Sequence, residues 1–78
     1  MDRDAIIEKV YNLVAEELSL DVDTLSMETE FKALGADSFD LLELVTAFED
    51  EFGATLEDER LMAIVTVADA VDAIEKAL

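Results

Sequence analysis

Apolar residues recur at helical spacing in three parts of the chain, and each repeat predicts an amphipathic helix. The first helix is expected over residues 4–18, where Asp2 and Asp4 are placed to cap it and to favour its positive end. The second is expected to begin after Asp37 as N-cap and to stop at Gly53. The buried stripe of this second helix is expected to consist of Leu41, Leu44, Val45, Phe48 and Phe52.

The last part of the chain predicts a helix that opens with a capping box of Thr66 and Asp69. Residues 58–64 are expected to form a short helix before it. The four segments predict an all-α fold, a small four-helix bundle with one short helix, in a single domain over residues 1–78. The apolar face of the last helix is expected to contain Val67, Ala70, Val71, Ile74 and Leu78.

Residues 19–37 lack the helical period and predict a long loop between the first and second helices. Ordered loops of this length often carry function. Four apolar residues are expected to anchor the loop to the core, namely Val22, Leu25, Phe31 and Leu34.

The composition indicates a protein that is stabilised by packing. The 78 residues include no cysteine and no proline, so neither disulfides nor thiolate-bound metal can contribute. The N-terminal residues lack the basic and apolar regions of a secretory signal, and no apolar run is long enough to span a bilayer. We expect a monomeric, soluble protein of the cytoplasm, although the trimmed form of an organellar protein would have the same features.

The net charge of the chain excludes some classes of binding partner. With 21 acidic and 5 basic residues, the formal charge of −16 repels phosphate backbones and anionic lipid surfaces, so neither nucleic acid nor membrane is expected to bind. Nine acidic residues and no basic residue lie between Lys32 and Arg60. Any one of these acids can serve solubility alone, but together they favour docking on basic partner surfaces.

Two common site chemistries do not fit the chain. It has no histidine to activate a nucleophile, and the residues around Ser38 do not match G-x-S-x-G, so we expect no enzymatic activity. A D-V-D run from residue 21 resembles the start of a calcium loop. That loop would require an oxygen ligand, a glycine and a glutamate where Leu25, Ser26 and Lys32 stand, so no metal site is expected.

The segment G-A-D-S-F-D, residues 35–40, places the Ser38 hydroxyl where the second helix begins. A helix N-terminus offers unpaired N–H groups and a positive dipole end, which would favour a phosphodiester joined to Ser38. Gly35 relaxes the turn, which allows a modifying enzyme to approach the backbone. Physical reasoning alone is also compatible with an ordinary first-turn serine behind the Asp37 cap.

Residues 35–53, GADSFDLLELVTAFEDEFG, resemble the signature of acyl carrier proteins, in which an Asp-Ser-Leu triplet opens an acidic second helix. The order and spacing of the other segments resemble that family over nearly the whole chain. The resemblance implies that Ser38 carries 4′-phosphopantetheine, transferred from coenzyme A by a holo-carrier synthase, which is a phosphopantetheinyl transferase. It also implies that the thiol of this arm holds an acyl chain as a thioester.

The resemblance further implies a partner face and an acyl pocket. Acids of the second helix would meet basic patches on enzymes of fatty-acid or polyketide synthesis, and helices would enclose the acyl chain. One of the residues expected on the partner face, Phe39, has an alternative position, in which its side chain folds back onto the long loop and packs against the core. The partner face is expected to contain Asp37, Phe39, Asp40, Leu42, Glu43, Thr46, Glu49 and Asp50. The pocket lining is expected to contain Leu41, Leu44, Val45, Phe48, Leu61 and Ile64.

Three functions remain open at the level of sequence. Fatty-acid synthesis is the first, and a specialised carrier for a polyketide, lipid A precursor or other acyl group is the second. Phe39 stands where the family usually has leucine, and Thr46 stands where methionine is common, which leaves the identity of the partners open. The third is an unmodified acidic helical module that only docks proteins.

Overall fold

The computed structural model describes residues 2–56 and 62–78, and the regular elements in these ranges are helices. Helix α1 spans Arg3–Leu18, α2 spans Ser38–Phe52 and α3 spans Val67–Ala77. The all-α prediction is therefore confirmed for the described residues. The short helix predicted over residues 58–64 falls mostly on residues outside the described ranges.

Local capping sets both ends of α1. The Asp2 side chain accepts a hydrogen bond from the Ala5 N–H at 2.8 Å, as a helix N-cap does. At the other end, Ser19 adopts a left-handed conformation with φ 56° and its N–H donates to the Ala15 carbonyl. The helix predicted over residues 4–18 is confirmed to within one residue.

The core forms where α1 packs against α2 and α3. The predicted apolar faces supply most of it, because residues three or four apart share one side of a helix. Two predicted residues are exceptions: Leu41 is only half-buried, and Leu78 lies beyond the end of α3 and is 53% exposed. The fully buried large side chains are Ile6, Val10, Val14, Leu44, Phe48, Val67, Val71 and Ile74.

The long loop contains two 3₁₀ turns, Val22–Thr24 and Phe31–Leu34. Leu25 and Phe31 are buried as predicted. The prediction for Val22 is wrong, because none of the three residues of its turn is buried and Leu25 takes the core position directly after it. Leu34 is half-buried against the core.

The loop is joined to the start of α3 by an isolated antiparallel bridge between Glu30 and Thr66. The Phe31 N–H donates to the Val65 carbonyl at 3.0 Å, and the Val67 N–H donates to the Thr29 carbonyl at 3.0 Å. The bridge therefore brings the residues before α3 next to the residues before α2.

Candidate functional site

Ser38 is the first residue of α2 and is exposed. A complete capping box surrounds it. Asp37 Oδ1 accepts from the Asp40 N–H at 2.9 Å, and Asp40 Oδ2 accepts from the Asp37 N–H at 3.2 Å. The prediction that Asp37 is the N-cap is confirmed. Because the Asp37 and Asp40 carboxylates hold the backbone on either side, Ser38 is positioned at the positive end of the helix dipole.

Gly35 ends the 3₁₀ turn that precedes this helix start. Its φ of 86° lies in the left-handed region, where glycine is favoured, and its N–H donates to the Lys32 carbonyl at 3.1 Å. A Cβ at this position would meet nothing within 4 Å. The glycine therefore serves the backbone conformation of the turn that leads to Ser38, and not a close contact.

A pocket of about 350 Å³ adjoins Ser38. It lies between the 3₁₀ turn, the start of α2 and the segment before α3. Most of its lining is apolar, with one basic side chain from the turn and the Asp37 carboxyl beside Ser38. The lining residues are Phe31, Lys32, Ala36, Asp37, Ser38, Leu41, Ile64 and Val65.

The predicted acyl-pocket residues divide into two groups. Leu41 and Ile64 line the pocket beside Ser38. Leu44, Val45 and Phe48 are instead at most 3% exposed within the closed core and are not part of that lining. Leu61 lies outside the described residues. A role of the three core residues toward an acyl chain stays a prediction.

Four lining residues were not predicted for any part of the site, namely Phe31, Lys32, Ala36 and Val65. Ala36 is detectable from the sequence because it lies two residues before Ser38. Val65 carries no such signal, since only the bridge to the loop brings it there.

Asp69 fixes the wall of the pocket that Ile64 and Val65 provide. Its Oδ2 accepts from the Val65 N–H at 3.0 Å and from the Thr66 N–H at 3.1 Å. The Thr66 hydroxyl in turn accepts from the Asp69 N–H at 3.2 Å. The hydrogen bonds from the Thr66 and Val65 backbone lower the pKa of the Asp69 carboxyl, because they stabilise its charged form.

Four of the eight residues predicted for the partner face line a shallow groove along α2, while Asp37, Phe39, Asp40 and Glu49 lie outside it. Its volume is about 380 Å³, and Glu17 from α1 lines it together with residues of α2. Leu42 is 55% exposed there. Glu17 and Ala47 were not predicted for this face. The α2 residues of the groove are Leu42, Glu43, Thr46, Ala47 and Asp50.

Phe39 and Glu49 differ in how far their side chains are exposed for contact with a partner protein. Phe39 is 66% exposed, so it does not fold back onto the loop as a core residue. Glu49 is half-buried, and its Oε2 accepts from the Leu56 N–H at 2.8 Å. One carboxylate oxygen of Glu49 therefore anchors the segment after α2, and its contact with a partner stays a prediction.

Two further observations concern the described part of the chain. No group of three or more acidic side chains there is arranged to hold a metal ion. None of its helices has both the length and the apolar character that crossing a bilayer requires.

Comparison with known proteins gives a consistent result. A family profile described as "Phosphopantetheine attachment site" matches residues 8–74. The chain is 42% identical over 79 residues to an acyl carrier protein of Petrotoga mobilis, with 100% of this chain and 93% of that protein covered. It is 45% identical over 71 residues to the chloroplastic acyl carrier protein 1 of Casuarina glauca, which covers 90% of this chain and 52% of that protein.

Solved structures agree with these relatives. The acyl carrier protein of Thermotoga maritima superposes with a TM-score of 0.84 at 39% identity, covering 99% of this chain and 91% of that one. The acyl carrier protein of Enterococcus faecalis superposes with a TM-score of 0.83 at 33% identity and full coverage of both chains. Because the profile spans residues 8–74 and the Petrotoga mobilis protein matches at 42% identity over nearly its whole length, the chain belongs to the acyl carrier protein family.

Proposed function

We propose that this protein carries acyl groups for fatty-acid synthesis as thioesters on a phosphopantetheine arm joined to Ser38. The observation that carries the proposal is the position of Ser38, which is exposed at the start of α2 and adjoins an apolar-lined pocket. The family profile describes a phosphopantetheine attachment site and spans this region.

The residues at the site fit the arm chemically. In the loading step the Ser38 hydroxyl oxygen attacks the phosphorus of coenzyme A that bears the pantetheine. The new bond joins that phosphorus to Oγ, the phosphoanhydride bond breaks, and adenosine 3′,5′-bisphosphate leaves. Because the Asp37 and Asp40 carboxylates beside Ser38 accept hydrogen bonds within the capping box, we assign the base that takes the hydroxyl proton to the synthase. The helix start then supplies N–H groups and dipole to the phosphodiester.

The pocket binds the acyl group that the arm carries. Its volume of about 350 Å³ lies near the lower end of the range typical of small-molecule sites. Leu41 and Ile64 contribute apolar lining, which suits an alkyl chain. Leu44 and Phe48 continue the same stripe of α2 into the core, and we propose that longer chains displace them.

The outer face of α2 recognises the partners. Leu42 supplies exposed apolar surface, while Glu43 and Asp50 supply charge within the same groove. Partner enzymes with basic docking patches complement this surface, and a phosphopantetheinyl transferase is the first of them. The chain itself contributes no catalytic group, and it acts as a monomer in the cytoplasm.

The test is to load the protein and then to acylate it. Purified protein is incubated with coenzyme A and a holo-carrier synthase, and the loaded form is then given to fatty-acid-synthesis enzymes with an acyl donor. Intact mass should increase by one arm and then by one acyl group, and hydroxylamine should remove only the acyl group because it cleaves thioesters.

Each alternative function has its own outcome in this experiment. A protein that never gains the arm is the unmodified docking module. A protein that gains the arm but accepts acyl groups only from enzymes of another pathway is a specialised carrier, and the fatty-acid proposal is then wrong.

A further inference from the structure

Loading places a new negative charge in a part of the molecule that is already acidic. Asp37 and Asp40 flank Ser38, and the chain as a whole has a formal charge of −16. The dipole of α2 offsets part of this repulsion, although its effect is limited to the first turn. A basic side chain near Ser38 would offset more of it.

Lys32 is the basic residue that lines the pocket beside Ser38. Other described basic residues have different surroundings. Arg3 forms ion pairs with Asp72 and Glu75, at 3.0 and 3.1 Å. The Lys9 ammonium lies 6.0 Å from the centre of the Phe52 ring, and Lys76 lines a separate groove with Asp69 and Asp72.

The backbone of Lys32 is held in place at the mouth of the pocket. It lies within the 3₁₀ turn Phe31–Leu34, and its carbonyl accepts from the Gly35 N–H at 3.1 Å. The preceding residue donates to the Val65 carbonyl through the bridge at 3.0 Å. The side chain is exposed, so its ammonium can move on a flexible four-carbon stem toward an anion near Ser38.

We propose that Lys32 pairs with the phosphodiester joined to Ser38 and thereby holds the arm over the pocket that both residues line. This inference rests on the proposed function, because it requires the arm on Ser38. The phosphate is the only part of the arm that carries a charge, and fixing it next to the pocket directs the flexible remainder toward the apolar lining of Leu41 and Ile64.

The experiment compares loaded and unloaded forms of three proteins: wild type, Lys32→Met and Lys76→Met. Methionine keeps an unbranched apolar stem and removes the ammonium. Both variants change the net charge equally, so a difference between them is local. Thermal midpoints are measured for each pair of forms at low salt, and the ³¹P resonance is recorded for each loaded form.

Loading should lower the midpoint of Lys32→Met by about 2 °C more than it lowers the midpoint of wild type or Lys76→Met. This extra loss should disappear at about 0.5 M salt, where exposed charges are screened. The ³¹P resonance should move in Lys32→Met alone. Each loaded form is compared with the unloaded form of the same protein, so a general effect of the substitution on the thermal midpoint cancels.

Two results would overturn the inference, and they are distinguishable. If intact mass shows full loading but Lys32→Met behaves like Lys76→Met in both measurements, the role of Lys32 is wrong while the proposed function stands. If wild type gains no arm, the proposed function fails and the role of Lys32 fails with it.

Discussion

Phe39 and Phe48 lie on one helix, nine positions apart in the chain, in opposite surroundings. Phe48 is fully buried in the core, whereas Phe39 is 66% exposed next to Ser38. Burial of a large aromatic side chain contributes several kcal/mol to folding, so an exposed one is more informative about function. An apolar ring among acidic residues has the features of an interface anchor, in which the ring fills a partner pocket and the charges orient it.

The two phenylalanines should therefore respond differently to truncation. Phe48→Ala should lower the free energy of unfolding by about 3–5 kcal/mol, because it leaves a cavity in the core. Phe39→Ala should lower it by less than about 1 kcal/mol but should slow loading of Ser38 markedly. Matched denaturant titrations and synthase kinetics measure both effects. An interface role for Phe39 is excluded if its alanine variant is loaded at the wild-type rate.

At the residue scale, the sequence predicts those properties of a side chain that depend on its place within one helix. The Asp37 cap follows from the residue type at the helix start and is confirmed, and Phe39, which lies half a turn away in phase from the buried stripe, is exposed. Lys32 and Val65 were not predicted for the pocket because their positions depend on backbone pairing between distant segments. The same reason applies to Val22, whose exposure depends on which loop residue reaches the core.

At the scale of elements, the start of α3 is connected to the pocket through its cap. Asp69 accepts from two backbone N–H groups, one of which belongs to Val65 in the pocket wall. The capping box was predicted from Thr66 and Asp69 and is confirmed. The hydrogen bond between Asp69 and Val65 and the bridge between Glu30 and Thr66 were not predicted. Neither contact produces a periodic pattern of residue types in the sequence.

Because these bonds lower the pKa of Asp69, its contribution to stability depends on pH in a defined direction. A carboxyl group whose pKa is lower in the folded protein stabilises the fold above its unfolded pKa, and this contribution is lost as pH falls through the folded value. At pH 7, Asp69→Asn should be about 1 kcal/mol less stable than Asp50→Asn, which removes an equal charge from an exposed position.

The measurement is the free energy of unfolding of both variants from pH 7 to pH 3. The difference between them should be constant at neutral pH and should shrink as pH falls below the ordinary Asp value of 3.8. A difference that is unchanged at pH 3 would show that the charge of Asp69 does not stabilise this cap.

At the scale of the whole molecule, the charge is confined to a small volume. The described structure measures 27 × 24 × 20 Å, which is comparable to the Debye length of about 30 Å at 0.01 M salt, so the acidic groups repel one another across the molecule at low salt. The ion pairs found among the described residues both involve Arg3. Self-repulsion therefore opposes the compact state, and the same field attracts basic partners.

Salt should act in opposite directions on these two properties. The thermal midpoint should rise by about 5 °C between low and moderate salt, because screening relieves the repulsion. Association with a basic partner such as the synthase should weaken over the same range, because screening also reduces steering. A midpoint that stays constant or falls would show that repulsion does not limit the stability of this protein.

The attachment of the arm to Ser38 is tested most directly by locating the modified residue. Wild type, Ser38→Ala and Ser26→Ala are incubated with coenzyme A and a holo-carrier synthase, and intact and fragment masses are measured. Wild type and Ser26→Ala should gain one phosphopantetheine on the fragment that contains Ser38, while Ser38→Ala should remain folded and gain nothing. An arm on Ser38→Ala, or on any other residue of wild type, would show that Ser38 is not the attachment residue.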